Sequence, residues 1–346
     1  MTITSIQKNK ILVYEFWQKL NEADPTQFLS IMQQYMIDEI AWHGPYPLTE
    51  FSGIEALYAG FWQPLLQSFP GIQREDFIFF GGVSNGRKDG RDDGHEWVCG
   101  LGYFRSVFQQ DWLGIPATNS EVLIRQSEFC RVENGKIVEI YILLDIPDLM
   151  RQAGYPVMPP DRGAIGLWPP PKSNDGLLLD AQDVAASVQS MSLIRGMIYD
   201  GLNQFDQSEL TSMGMADFFS ADLQWYGPSG IGGCLSLKEF EDFHQRHWLI
   251  AFPDRQVQDL DSLFTEGEYM GASGWAGVIA THTGEYLDVS ETGKTIQFNG
   301  IDIWKRNGNK LVENWVFVDM IDLYRQFGID LFERMQESIL STSASE

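Results

Sequence analysis

Two short runs of the chain each end in a carboxylate. Gly135 to Asp145 reads GKIVEIYILLD, and Asn309 to Asp319 reads NKLVENWVFVD. Alternate residues of a strand share a face, so Asp319 lies with Trp315 and Phe317, and Asp145 with Tyr141 and Leu143. If that aromatic face walls a pocket, the carboxyl loses water and its pKa climbs toward neutrality. Such a group can take a proton from the carbon beside a carbonyl and later return one. Asp145 and Asp319 are therefore candidate acid/base residues, with Tyr141, Trp315 and Phe317 as candidate substrate contacts. A second reading stays open. Each Asp caps the helix that follows, PDLMRQAG or IDLYRQFG, or is solvated, although Asp148 and Asp322 sit closer to those helix starts.

Donors for a developing oxyanion come from a few other positions. His43 and Tyr226 occupy matching places in WHGP (Trp42 to Pro45) and WYGP (Trp225 to Pro228), and both are candidate substrate contacts. His244 sits in a helical stripe with Leu237, Phe240 and Trp248, where the other half of the chain has Phe61. A polar residue on an inward stripe is a pocket-lining candidate. His247 lies off the stripe. The His-x-x-His spacing of the pair is not the i, i+4 pair of a zinc helix, so no metal is expected. His282 belongs at a strand end, in turn and sheet packing. GPSGIGG (Gly227 to Gly233) is followed by no Gly-Lys-Ser/Thr and reads as a turn. No Gly-x-Ser-x-Gly elbow and no full Gly-x-Gly-x-x-Gly fingerprint occur, which removes a serine hydrolase and a Rossmann nucleotide site.

The elements that position these residues come in two sets. At 346 residues the chain exceeds one ordinary domain. With 44% hydrophobic and 21% charged residues it reads as globular rather than disordered. No apolar run reaches the ~18 residues of a membrane span. The opening MTITSIQKNK lacks the apolar segment of a secretory signal, which points to the cytoplasm. A formal charge of −24 repels phosphate backbones, so neither nucleic acid nor membrane is an expected partner. Cys99, Cys130 and Cys234 are isolated and read as free buried thiols.

The chain repeats itself. EFCRVENGKIVE matches DIWKRNGNKLVE without a gap, and DIPDLMRQAG matches DMIDLYRQFG. Upstream, SFPG matches AFPD at a different offset. GGVSNGRKDGRDDGHE absorbs the change and reads as a loop or long hairpin tip, without the spacing of a calcium loop. The expected organisation is domain 1 over 1–154, a Pro-rich linker over 155–182, domain 2 over 183–335 and a flexible tail over 336–346. Ile54, Leu57, Tyr58, Phe61, Trp62, Leu65 and Leu66 form a helical stripe. Ile194, Met197, Ile198, Gly201, Leu202 and Phe205 form another. Asn134-Gly135 marks a hairpin. Each domain is thus expected to be α+β, with helices on a curved antiparallel sheet. Both faces of the last strand are apolar, which predicts that the two sheets pack together as an internal pseudo-dimer, in a monomer or a homodimer.

These phrases resemble the SnoaL-like polyketide cyclase (ester cyclase) family of the nuclear transport factor two-like superfamily. The resemblance rests on Thr281-His282-Thr283-Gly284-Glu285-Tyr286, Thr292-Gly293-Lys294 and Arg325-Gln326-Phe327-Gly328. In the first half it rests on Leu113-Gly114-Ile115-Pro116-Ala117-Thr118, Gly135-Lys136-Ile137-Val138-Glu139 and Gln152-Ala153-Gly154. It covers nearly all of both repeats, and implies two tandem cone-shaped α+β barrels, each with an inner pocket. It further implies an Asp acting as acid and base in an aldol ring closure, without metal or cofactor. By motif position that role falls on Asp145 and, separately, on Asp319. The implied partner is a hydrophobic, carbonyl-bearing small molecule, and the chemistry an aldol cyclisation or an isomerisation. The alternative is a ligand-binding or scaffold protein of the same fold. Phe61 for His244, Phe108 for His282 and His43 for Tyr226 divide the repeats, and the second has more polar options.

Overall fold

The computed structural model describes residues 3–164 and 166–343. The Asn134-Gly135 turn has both residues at positive φ, 51° and 74°. This is the backbone of a two-residue hairpin whose twist matches its strands. It joins β5 (Glu121–Glu133) to β6 (Lys136–Leu144), which follow β1 (Met36–His43), β2 (Glu50–Ser52), β3 (Gln73–Val83) and β4 (Glu96–Val107). These six form one sheet in the order β2-β1-β6-β5-β4-β3. The second half contributes β7 (Phe219–Tyr226), β8 (Gly233–Cys234), β9 (Gln256–Val257), β10 (Ser262–Glu266), β11 (Tyr269–Thr281), β12 (Thr295–Asn307) and β13 (Lys310–Val318). Their order is β8-β7-β13-β12-β11-β10, with β9 against β11. Apart from β9, the two orders correspond strand for strand.

The fold is α+β with two curved sheets, but the sheets are mixed rather than antiparallel. β1 runs parallel to β6, and β7 parallel to β13. Turn residues reveal only hairpin neighbours. The β1–β6 pairing closes across the whole first half, and the intervening helix and strands provide the long crossover a parallel pair needs. Bulges between Gly274 and Val278 and between Asp76 and Ile78 bend the sheets.

The inner face of each sheet holds helices. Ser5–Glu22 begins with the Thr4 hydroxyl accepting from the Gln7 amide, and buries Val13, Phe16, Trp17 and Leu20. The stripe from Ile54 to Ser68 is helical but not uniformly α. Its middle, Tyr58–Trp62, widens into a π turn, and Glu241–Gln245 does the same in the second half. Ile54, Leu57, Phe61, Trp62, Leu65 and Leu66 of the expected stripe are nonetheless buried, and Tyr58 is half-buried.

The outer faces meet. Phe80 and Phe129 lie 5.4 and 5.3 Å from Phe264, and Tyr141 lies 4.9 Å from Trp275. Gly271 sits against this cluster, where a Cβ would come within 3.0 Å of both Phe80 and Phe129. Each buried ring contributes roughly 1.5–3 kcal/mol. The linker runs largely over the surface and is pinned to the seam at a few buried side chains. Trp168 is buried, and Pro169 O accepts from the Trp315 indole. The helix Leu331–Ser343 takes in residues 336–343 of the segment expected to fray. Met335 is buried and Gln336 donates to Gly114 O. Residues 344–346 lie outside the described residues. No helix among the described residues is long and apolar enough to cross a membrane.

Lys10 and Glu266 tie the halves through a buried ion pair at 2.6 Å. The Lys10 ammonium also donates to Leu178 O and Asp180 O, and Glu266 accepts from the Gly81 amide. Lys10→Met strands the carboxylate and is expected to cost about 3–5 kcal/mol. Adding Glu266→Gln should restore most of that loss, read as urea midpoints at constant slope.

Candidate functional site

The second half holds a partly open cavity of about 190 Å³. Its floor is the inner face of β11, β12 and β13. Asn314, Val316 and Val318 alternate into it, while Glu313 and Trp315 point to the seam. On β12, Gly300, Asp302 and Trp304 line it, with Asp302 opposite Val316 and Trp304 opposite Asn314. The roof is helical. Met197, Ile198, Leu202 and Phe205 come from one segment, and Phe240, His244, Gln245 and Trp248 from the helix carrying the π turn.

Asp302 is the one carboxylate in this wall. It is half-buried and lines the cavity. Burial pushes its pKa up to about 7, opposed only by the Asn314 amide at 3.4 Å. No Lys or Arg lines the cavity to offset it. His244 stacks on Trp225 at 4.6 Å and 15°. Burial, then the neighbouring charges of His247 and Arg162, pushes its imidazole down to about 3, so it stays neutral. Its Nδ1 and the Gln245 Nε2 are buried without a hydrogen-bond partner among the described residues. Unsatisfied polar atoms buried among apolar side chains are costly unless a ligand completes them.

The first half has no equivalent space. The corresponding cavity is about 20 Å³. Phe61 and Trp62 stand where His244 and Gln245 do, and both are buried. Glu128 occupies the place of Asp302, but Arg74 binds it at 2.5 Å and Trp17 Nε1 at 3.2 Å. The Arg74 guanidinium also lies 3.4 Å over the Trp17 ring and bonds Asp76. Ile140 replaces Asn314.

The two strand-end carboxylates lie elsewhere. Asp145 and Asp319 are the N-caps of Ile146–Gln152 and Met320–Phe327, accepting from the amides of Asp148 and Asp322. The caps are thus not Asp148 and Asp322, because each strand runs into its helix without an intervening turn. Neither Asp145 nor Asp319 is among the residues lining the 190 Å³ cavity. Each instead reaches the other half. The Ser229 hydroxyl donates to Asp145 at 2.9 Å, and the Tyr46 amide donates to Asp319 at 2.8 Å. Asp145 also holds Arg125 at 2.8 Å; burial still raises its pKa. Burial pushes Asp319 up to about 7 against its two amide donors.

The aromatic face chosen from the sequence is the seam face. Tyr226 stacks on Trp315, and the Phe317 ring packs on Trp168 while its backbone borders the cavity. His43 stacks on Tyr141 at 4.3 Å and bonds Glu139. Both faces of β6 and β13 are apolar, so alternation alone could not say which looks inward. His244 does line the cavity. His282 packs on Phe252 and pairs with the Thr292 hydroxyl, in the turn role expected of it. Asp302, Asn314 and Gln245 were missed. The available signal was an acid repeated mid-strand, Glu128 and Asp302, between apolar neighbours.

Residues 199–327 match the family model of SnoaL-like polyketide cyclase. No curated protein matches the chain. Solved structures similar to it include a proposed SnoaL-like polyketide cyclase from Jannaschia sp. CCS1. It is 12% identical over 43% of this chain and 97% of that one, with a TM-score of 0.36. AclR from Streptomyces galilaeus, described as a proposed hydroxylase, is 24% identical over 41% and 97%, TM-score 0.33. IdmH from Streptomyces antibioticus, a proposed polyketide cyclase, is 17% identical over 41% and 99%, TM-score 0.32.

The raised Asp302 pKa has a stability consequence. Unfolded, the group titrates near its ordinary 3.8; folded, near 7. Between those values the folded chain keeps a proton that the unfolded chain has released, so stability falls as pH rises through this window. The cost is absent below about pH 4 and complete above about pH 7, on the order of 4 kcal/mol at most. Asp302→Asn should therefore be more stable than wild type at pH 8 and about equal to it at pH 4 by urea unfolding.

Proposed function

We propose that the SnoaL-like domain of the second half binds an apolar carbonyl compound and moves a proton at the carbon beside the carbonyl. Asp302 is the acid/base group. One observation carries this reading: a single carboxyl, poised near neutral pH, faces an aromatic cavity that contains no cation. A base that titrates near working pH combines a usable ionised fraction with real proton affinity.

Ionised Asp302 takes the proton from carbon, and the electron pair moves onto the carbonyl oxygen. The Gln245 amide, without another partner among the described residues, is the donor available to that oxygen. Protonated Asp302 then returns the proton to carbon, giving isomerisation. If the enolate first adds to a second carbonyl, it protonates the new alkoxide, giving aldol ring closure. Neutral His244 contributes a polar edge without a charge that would fix the base permanently as an anion.

We further infer that the two halves are tandem copies of one unit, arranged as an internal pseudo-dimer. Equal strand order supports this, as do the reciprocal contacts of Asp145 with Ser229 and Asp319 with Tyr46. The first copy is then a scaffold, its inner acid held by Arg74. On this reading Asp145 and Asp319 act in folding and docking, and Asp302 takes the chemical role.

The test is deuterium exchange beside the carbonyl of uncharged cyclic ketones, followed by NMR. Asp302→Asn is expected to slow exchange by about 10²–10⁴. Asp319→Asn and Glu128→Gln should keep the exchange rate within a few-fold. In wild type the rate should climb with pH and level off above about 7, as Asp302 ionises. A full rate in Asp302→Asn would remove the assignment.

A further inference from the structure

We propose that the ligand of this cavity is a compact, uncharged ketone of one ring or two small fused rings, not a four-ring molecule. This rests on the Asp302 reading for the chemistry, but the size and charge limits stand on separate observations. An apolar cavity of about 150 Å³ accepts benzene. The space here, about 190 Å³, is of the same order. It admits one substituted ring or an indane-sized pair, and a four-ring skeleton is larger than this space.

Charge is limited as firmly. The wall contains no Lys or Arg, and its one acid is repelled by any anion. A carboxylate or phosphate brought inside would lose its water and gain no cation. Phosphate-bearing carriers and free carboxylic acids are therefore excluded from the cavity itself. A cation would meet Asp302, but it would fix that group as an anion and disable it as a proton shuttle.

Shape follows from the rings. Trp225 and His244 lie stacked at 15°, and Phe240 tilts 38° from Trp225, so this side of the cavity is built of broad ring surfaces. A planar ligand is the best match to such a wall. The polar atoms fix its orientation. Gln245 Nε2 lacks an acceptor, and Asp302 has a single donor at 3.4 Å. A carbonyl oxygen satisfies the first while the neighbouring C–H faces the second. Gln245 lines the wall at the position where the first half has Trp62 filling its own cavity, and both halves carry a π turn there.

The experiment titrates the full chain with three probes: 1-indanone, benzoate and the four-ring ketone 4-androstenedione. Binding is read by tryptophan fluorescence and by the shift in Tm. Indanone is expected to saturate, with benzoate and androstenedione at least about a hundredfold weaker. Equal or tighter binding of either, or no binding of indanone, overturns the proposal. Val316→Phe should abolish indanone binding while leaving Tm unchanged or raised; Val318→Phe serves if the first variant does not fold. Indanone bound normally by both phenylalanine variants also overturns it. Indanone bound by wild type and Asp302→Asn, with exchange lost only in the latter, supports both claims. Indanone bound without exchange in wild type would keep the ligand class and remove the acid/base reading.

Discussion

A carboxylate taken out of water must be given something in return, and this molecule buries several. Glu128 receives a guanidinium and an indole N–H. Asp145 receives a guanidinium, a hydroxyl and an amide. Asp319 receives two amides. Among the described residues, Asp302 receives only one side-chain amide, at 3.4 Å. Ranked by donors, the four acids run from a locked structural pair to a group left free to change its protonation. The inner architecture of each half follows from where on that scale its strand acid falls.

The same strand order therefore leads to two different interiors. In the first half, Arg74, Trp17 and Trp62 fill the space and satisfy Glu128. In the second, His244, Gln245 and Asn314 leave it open. Few positions separate the two outcomes, because every one of them points into the same small volume. Close packing makes such a volume sensitive to single side chains.

Much of this was legible in the residues. The repeated phrases anticipated the matching strand orders, and Asn134-Gly135 marked a hairpin. What the sequence hid has physical causes. Trp315 and Phe317 looked like a pocket wall because an inter-sheet seam is as apolar as a cavity lining. Asp319 looked catalytic because desolvation at a seam and desolvation in a pocket leave the same trace, an acid after an apolar run. Gln245 was overlooked although it aligns with Trp62 of the first stripe, because a glutamine breaks the apolar pattern by which a stripe is read. The parallel β1–β6 pairing was invisible because no turn announces it.

The linker that carries Trp168 has a consequence for how the protein can change. In a homodimer every substitution is made twice, once on each side of the axis. Here one backbone joins both sheets, so each side is copied from its own stretch of gene. Tyr46 and Ser229 can meet the opposing carboxylates with different atoms, a backbone amide on one side and a hydroxyl on the other. The contact keeps its reciprocity while the sequence loses its symmetry. On the proposed tandem-copy reading, tethering frees one interior to drift or specialise while the other preserves the frame that supports it.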